Sequence, residues 1–198
     1  MELIKSKTFE NLKKAFIAEC SARTRYEFVE YGQRYNGNEA IATIIDKIAY
    51  QEFNHARMLY TKIQSATKGT IDSEESVVTL PYRQKWDLLD NLLFTAEDEE
   101  NEAVFYKKAA KTAKEEGFDD IAELFELIRK VELKHKKVLL YLHDKLKDQQ
   151  VYKSNTSKTW VCPSCGNEMK GEKAPETCTL CHAKMTTFEI NLPQNVVI

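Results

Sequence analysis

The sequence predicts a mainly α-helical chain: a four-helix bundle with a long crossover between its second and third helices, followed by a small C-terminal metal-binding domain. Three observations lead there. Apolar residues recur three and four apart in four stretches, residues 8–35, 38–66, 82–116 and 118–149, with no strand-like alternation before residue 150. The 15-residue segment KGTIDSEESVVTLPY between the second and third stretches has no helical pattern. Four of the five cysteines form two C-x-x-C pairs near the C-terminus.

Gly37 and Gly117 stand at the junctions of the first and last helix pairs, where a helix end needs a left-handed residue, and so predict tight antiparallel turns. The long middle segment has a different role. A helix of about 29 residues is ~43 Å long, and 15 extended residues reach ~50 Å. The segment can therefore run the length of the bundle, which makes helices two and three parallel. From about residue 146 the chain turns polar and helix-poor, then changes abruptly at WVCPSCG. This places a bundle over residues 1–149, a linker over 150–157 and a small domain over 158–198. A unit that small needs a metal or a cross-link in place of a large apolar core.

The formal charge is −2, from nearly balanced acids and bases, so no basic face predicts nucleic acid and no polybasic tract predicts anionic lipid. No apolar run reaches the roughly 20 residues of a membrane span, and MELIKSKTFENLKK lacks the apolar core of a signal peptide. A cytoplasmic protein is expected. In a reducing compartment paired cysteines read as metal ligands rather than disulfides. Lone Cys20 is read as a packing residue, because nothing about it suggests an activated thiolate.

The apolar stripes of the helices are interrupted near their middles by ionisable residues only. The first runs Phe9, Leu12, Phe16, Glu19, Tyr26, and the second Ile41, Ile45, Ile48, Glu52, His55, Leu59. The third is read as Trp86, Leu89, Leu93, Glu97, Glu100, Val104, and the fourth as Ile121, Leu124, Ile128, Glu132, His135, Leu139, Leu142. Residues three apart share a helix face, so each Glu/His or Glu/Glu pair should converge on the bundle axis. Buried carboxylates left uncompensated would exceed the roughly 5–15 kcal/mol of stability a domain has. Two metal ions would neutralise them. Glu19 lies 33 residues before Glu52-x-x-His55 and Glu97 lies 35 before Glu132-x-x-His135, an approximate two-fold repeat in the carboxylate-bridged dimetal layout. Oxygen ligands with a few imidazoles favour iron or manganese. Glu100 is a seventh ligand whose counterpart after Glu19 is Ala22.

The pairs Cys162-x-x-Cys165 and Cys178-x-x-Cys181 form two knuckles able to enclose one tetrahedral ion, and the spacing admits either zinc or iron. Trp160 and Phe188 would cap a small core around it.

Taken together, FIAECSARTRY, QEFNH, AEDEENE and VELKH, followed by WVCPSCG, Gly171, APETCTLC and a closing FE, resemble the rubrerythrin family over essentially the whole chain. In that family a ferritin-like non-haem diiron domain precedes a rubredoxin-like iron centre. The resemblance implies that Glu52 and Glu132 bridge two irons, that Glu19 binds one and Glu97 with His135 the other, and that His55 and Glu100 exchange on the first iron as its oxidation state changes. Tyr26, one heptad after Glu19, matches a tyrosine near the cluster. His55, Glu100 and Tyr26 are thereby the implied catalytic residues. A third iron, with zinc as the alternative, would occupy the four cysteines.

The implied activity is a peroxidase that reduces hydrogen peroxide to water in oxidative stress defence. Its electrons would arrive through the rubredoxin-like site from a rubredoxin or an NADH-dependent reductase, within a homodimer that sets one subunit's knob near the other's diiron site. The alternatives are a ferritin-like iron-oxidising or storage subunit and a non-enzymatic redox sensor with a zinc ribbon. Three departures from the family pattern stand out. Phe105 is expected where a second tyrosine is usual, with Tyr106 pointing elsewhere; Met169 replaces a usual histidine; and His182 lies one position from where another is expected.

Overall fold

The computed structural model describes residues 2–67, 73–82, 87–196 and 198. Its core is four long helices, α1 (Lys7–Tyr35), α2 (Glu39–Thr67), α3 (Leu88–Glu115) and α4 (Asp119–Lys147). Trp86 and the start of the third apolar stretch, like residues 68–72 of the crossover, lie outside the described residues. The helix ends follow from local chemistry. The Ser6 hydroxyl accepts the Phe9 N–H at 3.0 Å to cap α1, and Asp87 accepts the Asp90 N–H at 2.9 Å to cap α3. Gly37 and Gly117 have φ of 76° and 84°. Each is followed by an N–H that reaches back into its helix, from Asn38 to the Gln33 carbonyl and from Phe118 to the Ala113 carbonyl, both at 2.8 Å.

Cross-helix contacts establish the topology. Tyr106 meets Glu19 while Tyr26 meets Glu99, so α1 and α3 run antiparallel. Because the glycine turns make α1–α2 and α3–α4 antiparallel hairpins, α2 and α3 are parallel, and the crossover with described residues 73–82 must travel the length of the bundle. This is the ferritin-like arrangement. Two apolar clusters fill the interior on either side of the central ionisable residues. One is built around Ile45, Ile48, Leu92 and Leu139, the other around Phe9, Leu12, Tyr106 and Phe125. Among the described residues no helix is long and apolar enough to cross a membrane.

Helix α3 does not bury the face its bulky residues suggested. Leu93 and Val104 are exposed, whereas Leu92, Ala96, Ala103, Tyr106, Ala110 and Ala113 are buried. Alanine on this stripe lets α3 approach its neighbours closely, so the larger side chains are displaced to the outer face.

The C-terminal unit contains a two-stranded antiparallel sheet, β1 (Lys153–Val161) and β2 (Glu168–Lys173), with a register irregularity between Lys153 and Lys158. Strand β1 thus begins inside the segment expected to be linker. Trp160, Cys162, Ala174, Cys178 and Phe188 form its small core. The unit is fastened to the end of the bundle. The Thr186 hydroxyl donates to the Gly37 carbonyl at 2.6 Å, and beyond it Ile190, Leu192, Val196 and Ile198 pack on the helical core.

A fully buried alanine stripe makes a clear prediction. Ala113→Leu, at a site with no exposed surface, should lower unfolding stability by about 1–3 kcal/mol through overpacking. Val104→Leu on the outer face should change it by less than about 0.5 kcal/mol. Denaturant titration of both variants checks this.

Candidate metal centres

Midway along the bundle the four helices turn ionisable side chains toward one another. Glu19 from α1, Glu52 and His55 from α2 and Glu132 from α4 bring ligand atoms within 4.8 Å of one another, and Glu52, Glu99, Glu132 and His135 form a second such group. Glu52 and Glu132 belong to both, as bridging carboxylates must. His55 Nδ1 lies 3.2 Å from Glu52, 3.0 Å from Glu132 and 3.4 Å from Glu19. His135 Nδ1 lies 2.9 Å from Glu52, 3.0 Å from Glu132 and 3.6 Å from Glu99.

The third-helix carboxylate that the structure brings into the cluster is therefore Glu99, not Glu97, which corrects the sequence-based expectation of where that helix points its acids. Glu97 is exposed, and Glu100 is half exposed with its carboxylate 2.5 Å from Lys136. Glu100 likewise stays outside both groups, and the acid three residues after Glu99 is Glu102, which lines a cavity beside them. The Phe105 departure dissolves for the same reason. Tyr106 is buried and its hydroxyl donates to Glu19, while Tyr26 donates to Glu99. A sharper signal was present in the sequence. Glu99 lies 33 residues before Glu132, the same separation as Glu19 from Glu52, and Tyr106 follows Glu99 by seven residues as Tyr26 follows Glu19.

Electrostatics explain why these groups need a cation. Burial, then the charges of Glu132 and Glu52, push the Glu19 carboxyl far above its ordinary range. Burial and Glu52 do the same to Glu99, and burial, Glu132 and Glu52 to Glu102. Burial opposes protonation of His55 and His135, yet the surrounding carboxylates outweigh it and hold both imidazoles well above their usual value. Burial still opposes ionisation of Glu52, but the imidazoles keep it low. Among the described residues, Glu19 Oε2, Glu52 Oε1, Glu99 Oε2 and Glu132 Oε1 are buried and make no well-directed hydrogen bond, their neighbours being the two imidazole Nδ1 atoms that several carboxylates share. Four such oxygens, gathered with two imidazoles into two overlapping groups, are what a pair of divalent or trivalent cations would satisfy, so the residues present fit a dimetal cofactor.

Two cavities approach the centre from opposite faces. One of about 690 Å³ lies under the crossover and reaches Glu102, with Arg25, Asp98 and Phe105 in its wall. Arg25 pairs with Asp98 at 2.8 Å and lies 3.9 Å from Glu102. The other, about 360 Å³, reaches His55.

The second centre is the cysteine group. Cys162 and Cys181 sulfurs are 3.6 Å apart and Cys165 and Cys178 sulfurs 3.7 Å, with all four within 4.8 Å. Bonded disulfide sulfurs would be ~2.05 Å apart, whereas a tetrahedron with metal–sulfur bonds of ~2.3 Å has edges near 3.8 Å. The Cys181 and Leu180 backbone amides help draw the Cys178 thiol down to about 6. Each knuckle closes on a left-handed residue, Gly166 at φ 74° and His182 at φ 61°. His182 thus occupies the position that glycine holds in the first knuckle, and Met169 packs against the small core.

The rubrerythrin sequence pattern matches residues 10–98 and 90–164, and that of the rubrerythrin rubredoxin-like domain matches residues 160–189. The chain belongs to the rubrerythrin family. A rubrerythrin of Clostridium perfringens is 33% identical over 93% of this chain and 94% of its own length. The structure of a mixed-valence nigerythrin superposes with a TM-score of 0.61 at 25% identity, over 94% of this chain and 90% of that one. A Desulfovibrio desulfuricans bacterioferritin, 23% identical over 73% of this chain and 82% of its own, superposes at 0.64 and shares the fold. As in other rubrerythrins, the chain combines a diiron-type carboxylate–histidine site with a four-cysteine rubredoxin-like site.

Two outcomes follow. Glu99→Ala should leave the bundle with one tightly held ion instead of two, while Glu97→Ala retains both, as metal analysis after gel filtration will show. In metal-free protein, Glu19, Glu99 and Glu102 have folded values raised above the ordinary 4.5, and His55 and His135 above 6.5. Groups raised in this way stabilise the fold below their unfolded values and lose that contribution as pH rises. The Tm of metal-free protein should therefore fall from about pH 5 to 8, and the gap to metal-loaded protein should widen.

Proposed function

We propose that the chain is a peroxidase, reducing hydrogen peroxide to two waters with two electrons and two protons, in defence against oxidative stress. One observation carries the reading: a dimetal site and a four-thiolate site occur on one polypeptide. Iron storage requires only the first. When bound, two ferrous ions at the bundle site would supply the two electrons and stabilise the developing negative charge. Iron in the thiolate site, with zinc as the alternative occupant, would restore those electrons one at a time from a rubredoxin or an NADH-dependent reductase.

The protein's own groups have definable tasks in this scheme. Glu52 and Glu132 would bridge the ions, with Glu19 and His55 completing one position and Glu99 and His135 the other. Tyr26 and Tyr106 hold Glu99 and Glu19 by their hydroxyls, orienting the remaining oxygens. Glu102, rather than Glu100, borders the larger cavity and would offer a carboxylate as an alternative to His55. A small polar oxidant would enter there.

We further propose a homodimer. The outer face of α1 and α2 carries exposed Phe28, Tyr31, Tyr50, Phe53 and Tyr60, and Tyr50 stacks on Phe53. An aromatic surface of this kind suits a partner. Within one chain the knob is tied to Gly37, 15 residues before Glu52, a helical rise of about 22 Å. In the proposed dimer, electrons would arrive from the knob of the partner subunit.

Cys162→Ser separates the readings. It should abolish peroxide reduction driven by a reduced donor protein while chemically reduced bundle iron still reacts once with peroxide. Iron analysis on the same samples should give about three ions per wild-type chain; hundreds would establish storage instead.

A further inference from the structure

The two-fold repeat that relates Glu19 to Glu99, Glu52 to Glu132 and His55 to His135 also relates Gln51 to Val131, each one residue before its bridging glutamate. Here the halves differ in chemistry. Gln51 Oε1 lies 2.7 Å from His135 Nε2. Val131, the equivalent residue on α4, has no atom that could do the same for His55. Among the described residues His55 has no hydrogen bond at Nε2, and its ring borders a cavity shared with Gln51, Asn54, Met58, Val131 and Lys134.

We infer that Gln51 is a positioning residue that locks His135 as a metal ligand, and that Val131 leaves His55 without a lock, making the two metal positions unequal. The inference rests on the dimetal reading above. The amide oxygen can only accept, so it requires a proton on His135 Nε2. That places the lone pair on Nδ1, the atom facing Glu52, Glu99 and Glu132. The same contact restrains rotation of the ring. His55 presents Nδ1 to its own carboxylates in a similar way, but neither its tautomer nor its ring angle is held from behind. The spare carboxylate is one-sided as well: Glu102 follows Glu99, whereas Ala22 follows Glu19 at the same spacing. One position thus has an imidazole braced from behind, and the other, among the described residues, does not. Partners that orient a ligating histidine in this manner typically change metal affinity by about 10- to 100-fold.

Zinc is the probe, because it is redox-silent and diamagnetic. With the knob already loaded, stepwise zinc binding to the bundle is measured by chelator competition, and exchange of the His135 Nε2 proton by NMR of the zinc-loaded protein. Gln51→Leu should weaken one of the two bundle ions by about 10- to 100-fold and accelerate exchange of that proton, whereas Gln51→Glu, which keeps an acceptor, should preserve slow exchange. Val131→Gln should strengthen the other ion and narrow the gap between the two. Unchanged stepwise affinities and unchanged proton exchange in Gln51→Leu would overturn the inference while leaving the dimetal site intact. Wild-type protein that failed to take two zinc ions in its bundle would overturn the dimetal reading itself, and this inference with it.

Discussion

Repulsion among carboxylates crowded into a dry helical interior is the constraint around which this molecule is organised. Glu19, Glu52 and Glu132 have no exposed surface, and Glu99 almost none. No arrangement of the two imidazoles satisfies every oxygen, and four make no well-directed hydrogen bond among the described residues. Such a cluster persists only if a compensating charge is present or if protons are taken up in its place. The raised values of Glu19 and Glu99 express the second option. Metal binding is the first. The apolar clusters above and below hold the backbone rigid enough for the ligands to meet.

The repeat explains how one bundle makes two neighbouring positions with so few residue types. Each helix pair contributes a carboxylate, an E-x-x-H and a tyrosine, and each tyrosine serves the glutamate of the other half. Departures from the symmetry are where chemistry can differ between the positions. Glu102 against Ala22 and Gln51 against Val131 both bear on the same pair of sites. The cavity at Glu102 and the cavity at His55 open on opposite sides of the pair.

The cysteine knob obeys different physics. Its buried core has five residues, too few to balance the conformational entropy of some forty residues without help. Its backbone nonetheless draws the sulfurs to the separation a tetrahedral ion requires, by two similar turns that each end in a left-handed residue. Anchoring through Thr186 and the C-terminal apolar residues adds the burial the knob lacks.

Much of this was legible in the residues alone. The periodicity of α1, α2 and α4, the length of the crossover and the paired cysteines all predicted the architecture, because large apolar side chains and cysteine spacing signal their environments directly. The same signals pointed to Glu19, Glu52, His55, Glu132 and His135, which the structure brings together. Helix α3 is the exception. AEDEENE offers acids in several registers, and bulky Leu93 and Val104 drew the stripe onto the wrong face. Which face is buried depends on how closely two helices approach, and an alanine-lined contact leaves no hydrophobic signature strong enough to show it. The repeat spacing points to Glu99, but it is the packed bundle, bringing Glu99 beneath Tyr26 and Tyr106 beside Glu19, that decides which carboxylates meet.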